Sequence, residues 1–152
     1  MRYGSFIYIL LGFVFLSCSQ KQTKENETGS SFQQMYQMSE MALLMEDMYS
    51  SLEKDRALVE EGKTLGEFPE KFNQIHTGKM TETFERTEEF KRLADLYLQS
   101  LNQLYDADVN DPHRATYFNN TVKSCITCHR SDAGCIGPVS RIGKLLIPSK
   151  SN

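Results

Sequence analysis

Apolar residues return every three or four positions through three long stretches of this chain, and no stretch alternates apolar with polar residues as a half-buried strand would. That pattern predicts an all-α fold. The first stretch runs from about Phe32 to Glu61. Met35, Met38, Ala42, Met45, Tyr49 and Leu52 form its central stripe, Met41, Leu44 and Met48 flank it, and Gly62 ends it. The second runs from about Glu88 to Tyr105, with Thr87 as N-cap, acids in the first turn, and Phe90, Leu93, Ala94, Tyr97, Leu98, Leu101, Leu104 and Tyr105 on its apolar face. The third opens at Asp111-Pro112, with Asp as cap and Pro at the first helical position, and continues through Ala115, Phe118, Val122, Cys125 and His129.

Between the first two stretches, Lys63 to Arg86 carries a weaker pattern. Thr64-Leu65-Gly66-Glu67 matches a capping box, and Phe68, Phe72 and Ile75 share one helical face. Gly66, Pro69 and Gly78 make any helix there short or broken. Four helices joined by short loops predict an antiparallel four-helix bundle over residues 32–134, with 135–152 as a tail.

Ahead of the bundle, residues 1–18 read as an export signal. Arg2 supplies the positive start, and Phe6 to Leu16 is an apolar run of signal length, short of the roughly 20 residues a spanning helix needs. It closes on Leu16-Ser17-Cys18, similar to a bacterial lipobox, which makes Cys18 the expected lipidated residue of the mature chain. An ordinary cleaved signal and a buried N-terminal helix are the alternatives. Residues 19–31 (SQKQTKENETGSS) are polar and free of aromatics, the composition of a flexible tether. A net charge of −3 across 152 residues, with no basic stripe, argues against a nucleic-acid partner.

The chemistry concentrates in Cys125-Ile126-Thr127-Cys128-His129. In this CxxCH spacing two thiols can add across the two vinyl groups of one haem, giving thioethers, and the following imidazole becomes an axial iron ligand. Cys125 and His129 stand one helical turn apart on the apolar stripe. Export suits covalent haem, which is attached outside the cytoplasm. A thioredoxin-like pair would want a βαβ setting that this pattern lacks. Zinc held by Cys125, Cys128, Cys135 and a histidine is the other coherent metal reading. No acid, base or nucleophile constellation is visible, so no enzymatic turnover is expected.

A helical chain with CxxCH on its last helix resembles the class II c-type cytochromes, the cytochrome c-prime superfamily. The segments SEMALLMEDMY, IHTG (Ile75 to Gly78) and CIGPVSRIGKLL are similar to exported cytochrome-like proteins of Bacteroidetes. The resemblance implies a single covalent haem c and one-electron transfer to redox partner proteins of the cell envelope. The protein would be lipid-anchored and face the periplasm, and homodimers are common in the superfamily. It also implies that the first helix faces the other side of the iron. A methionine there closes the site and raises the potential, whereas an apolar residue leaves it open to small gases such as NO or CO. Met45 is the first candidate sixth ligand, with Met48 and Met41 behind it, and methionines used only for packing are the alternative.

His76, beside an apparent turn, and His113, far from Cys125 by helical rise, read as ordinary surface histidines. Cys135 has no intramolecular partner once Cys18 is lipidated and the other two carry haem. It is expected as an inert buried thiol or as a reactive one. The tail, with Pro138, Ile142, Leu145, Leu146 and Ile147, is either a strap over the haem edge or a docking surface for a partner.

Overall fold

The computed structural model describes residues 37–132, 134 and 136–148. The signal segment, the tether, Cys18, Met35 and Cys135 lie outside these. Among the described residues every regular element is helical: α1 (Glu40–Glu60), a 3-10 segment (Glu70–His76), α2 (Glu88–Asp106), α3 (Arg114–Arg130) and α4 (Val139–Gly143). The fold is all-α. None of these helices is long and apolar enough to cross a membrane.

α1 starts at Glu40 because Ser39 caps it. The Ser39 hydroxyl accepts the Ala42 N–H at 3.1 Å and pairs with the Thr81 hydroxyl at 2.9 Å. Residues 37–39 are therefore outside the helix, which begins later than the spacing predicts. Its buried stripe is Met41, Leu44, Met48, Leu52 and Asp55. That stripe is rotated by about one residue from the expected one. Met45 and Tyr49 sit at its edge, packed against the core but only partly buried, and Met38 is 40% exposed.

α2 follows its sequence pattern closely. The Thr87 hydroxyl accepts the Phe90 N–H at 3.1 Å, and Phe90, Leu93, Ala94, Tyr97, Leu98, Leu101 and Leu104 are all buried. Leu101, Leu104, Phe118 and Val122 are fully enclosed, each stabilising the fold by about 1.5–3 kcal/mol relative to exposure. α3 begins at Arg114, slightly later than expected. Asp111 acts through a turn, its carboxylate accepting the His113 N–H at 2.7 Å and its carbonyl the Arg114 N–H at 3.1 Å.

The capping box at Thr64-Leu65-Gly66-Glu67 does not form, and this stretch is not helical. Gly66 adopts φ +88°, a left-handed conformation incompatible with a helix start, and Pro69 follows directly. The helical part is the 3-10 segment beyond it, which buries Phe72 and Ile75 as expected while Phe68 stays partly exposed. It bridges α1 and α2, whereas α3 packs along α2 and touches both α1 and α4.

Residues 136–148 turn back over the helices. Ile142 and Leu145 join the core, Asn119 exchanges two 2.9 Å hydrogen bonds with the Ile147 backbone, and Arg56 donates to the Lys144 carbonyl at 2.9 Å.

Candidate functional site

The last two turns of α3 carry Cys125, Cys128 and His129, all half-buried. Positions 125, 128 and 129 share one helix face by the three- and four-residue rule, which brings both sulfurs and the imidazole to one surface. Ser131 closes the helix, its N–H reaching the Cys128 and Thr127 carbonyls and its hydroxyl donating to the Cys128 carbonyl at 2.7 Å. The chain then returns through Gly134. A β-carbon there would meet the Cys128 oxygen and the His129 Cα, so only glycine fits.

Three cavities open around this surface. One of about 60 Å³ lies between α1 and α4, with Met45, Tyr49, Leu52, Cys125, His129 and Ile142 in its wall. A second, of about 180 Å³, is lined by Met41, Met45, Met80, Phe84, Phe90 and His129, among others. The third, about 30 Å³, reaches into the core, where Met45, Met48, Tyr97, Cys125, Cys128 and His129 meet. Met45 and His129 line all three. Met48 lines two and Met41 one, and both are buried core residues. The structure thus brings together Cys125, Cys128, His129 and Met45.

His76 lies elsewhere, its Nε2 3.2 Å from Asp95, and His113 leans on Tyr117. Neither borders these cavities. Among the described residues, no three His, Cys, Asp or Glu side chains converge as a metal site would require. The zinc set weighed above includes Cys135, outside those residues.

The walls are largely apolar, and their electrostatics follow from that. Loss of water, then the neighbouring Cys128, pushes the Cys125 thiol up to about 12, against a smaller opposing pull from Ser124 and the backbone. Desolvation first, then Cys125, Tyr105 and Asp55, raise the Tyr97 phenol well above its ordinary value. The Tyr97 hydroxyl is buried without a hydrogen-bond partner among the described residues, a condition that costs about 1–3 kcal/mol when nothing offsets it. Over the outer side, Arg141 of α4 stacks on the Tyr49 ring at 3.7 Å and reaches both Glu46 oxygens at 2.8 Å, tying the strap to α1.

Tyr97 and Gly134 escape a reading of the sequence as site components. Tyr97 looks like any other member of an apolar stripe, and Gly134 like an ordinary helix end. The one available signal is that a Tyr stands among Leu and Ala. Comparison with protein-family models, curated proteins and solved structures finds no match to this chain.

Proposed function

We propose that this chain is a monohaem c-type cytochrome, a one-electron carrier of the cell envelope built as an antiparallel four-helix bundle. The observation that carries the reading is the convergence of the CxxCH residues with Met45: the Met45 thioether and the His129 imidazole line the same three cavities, and Cys125 opens on two of them. A thiol pair, an imidazole, a thioether and apolar walls are the donor set that a covalently held haem takes. Each cavity is below the ~300 Å³ of an ordinary small-molecule site, so a haem would have to widen the space between the walls that meet at His129.

In this reading Cys125 and Cys128 would hold the haem through thioethers, and His129 and Met45 would be the side chains that hold its iron. The haem supplies an iron that cycles between the ferrous and ferric states. The chain's own contribution is a dry wall and two fixed ligands, which set the potential. Cys18 carries the lipid and residues 19–31 tether the bundle to the membrane facing the periplasm, within reach of redox partner proteins. This role is electron transfer rather than catalysis.

The deciding experiment is an absorption spectrum of the chain exported in a host that matures c-type haem, with wild type and Met45→Ala recorded oxidised and reduced. Covalent haem with a low-spin ferric spectrum, whose methionine-to-iron charge-transfer band vanishes in Met45→Ala, supports the carrier. Wild type without covalent haem overturns it. A high-spin wild type whose spectrum shifts with CO replaces it with gas binding.

A further inference from the structure

Tyr97 sits at the centre of the α2 apolar face and is 3% exposed, yet its hydroxyl has no hydrogen-bond partner among the described residues. Phenylalanine would fill the same space without that penalty, so the hydroxyl calls for an acceptor. Tyr97 lines the smallest cavity, together with both cysteines, His129, Met45 and Met48. Burial keeps the phenol protonated and therefore able to donate.

The side-chain acceptors in that wall are the His129 imidazole, whose acceptor nitrogen would be taken up by the iron, and four sulfurs, which differ in freedom. Cys125 and Cys128 become thioethers to the haem and are fixed by it. Met48 is 4% exposed and locked into the core. Met45 is only partly buried and borders all three cavities, so its flexible side chain has room to turn.

We propose that Tyr97 is a positioning residue of the haem site, its hydroxyl donating a hydrogen bond to the Met45 sulfur when that sulfur lies opposite His129. The inference rests on the cytochrome reading. A thioether sulfur has two lone pairs, so a Met45 that held the iron would keep one for Tyr97. The hydrogen bond draws electron density from the sulfur, which favours the ferrous state, and holds Met45 in one rotamer.

The test compares haem-loaded wild type, Tyr97→Phe, Met45→Leu and the double variant by midpoint potential, and the haem-free wild type and Tyr97→Phe by urea unfolding. Tyr97→Phe is expected to lower the potential and weaken the methionine–iron band. The haem-free chain should be at least as stable as before, since an unpaired hydroxyl has been removed. In the Met45→Leu background the same change leaves the potential where it is. An equal potential shift in that background, or a destabilised haem-free Tyr97→Phe, overturns the proposal. Covalent haem with an unmoved potential in Tyr97→Phe overturns this inference alone, whereas wild type without covalent haem overturns it together with the cytochrome reading.

Discussion

Gly134 lies so close to the end of α3 that a β-carbon on it would stand 2.7 Å from the carbonyl oxygen of Cys128 and 2.9 Å from the Cα of His129. Both contacts are with backbone, which cannot swing aside as a side chain would. The return of the chain beneath the CxxCH turn therefore depends on a missing methyl group.

Gly134→Ala should push the loop away from α3 or distort its last turn, at a cost of about 1–3 kcal/mol, the usual penalty for overpacking. Urea unfolding of the variant measures that cost. Gly137→Ala, where nothing lies within 4 Å of the added carbon, is the control and should unfold close to wild type.

Met45 and Met48 should separate by the property each one changes. Met48→Ala removes a core side chain and should lower stability by about 2–5 kcal/mol. Met45→Ala, at the edge of the core, should cost less stability but abolish the low-spin spectrum of the haem-loaded protein. Thermal unfolding and absorption spectra of the two variants, recorded side by side, check both expectations.

Asp55 makes stability depend on pH. Burial raises its carboxyl to about 6 from the usual 3.8, despite the Tyr105 hydroxyl at 3.0 Å and the charges of Arg114 and Lys54, all of which oppose the shift. The native state therefore holds a proton that the unfolded chain has already lost between these values. The stabilisation is complete below about pH 3.8 and is lost as pH rises through about 6, on the order of 3 kcal/mol. Asp55→Asn keeps an acceptor for Tyr105 and should flatten this part of the profile in thermal denaturation between pH 4 and 7.

Cys125 should react slowly in the folded, haem-free chain. A thiol pushed up to about 12 is almost wholly protonated at pH 8, and the thiolate is the nucleophile. Timed alkylation at pH 8, followed by peptide mapping, should show Cys125 modified many times faster in 6 M urea than in buffer. Equal rates would mean that α1 and the strap do not enclose it.

The elements best foreseen are those whose determinants are local. Thr87 followed by acids and an apolar stripe is enough to place α2, because a cap is a hydrogen bond made within one turn. α1 was harder to orient because Met41, Ala42, Leu44, Met45, Met48 and Tyr49 are apolar on adjoining faces. Two stripes one residue apart fit the same spacing, and packing against Lys79, Thr81 and α3 chooses between them. Gly66 misled in the opposite way. The letters of a capping box were present, but its left-handed backbone forbids the helix they would start.

From the chain alone came the helical class, the α2 boundaries and the placement of Cys125, Cys128 and His129 one turn apart on one face, since each follows from spacing and short-range hydrogen bonds. Tertiary structure decided that Met45, not the buried Met48, borders all three cavities that His129 borders among the described residues, that Tyr97 brings there a hydroxyl without a partner among those residues, and that residues 136–148 close over the outer side. These relations join residues far apart in sequence. They depend on how one helix rotates against another, which periodicity constrains only to within about one residue.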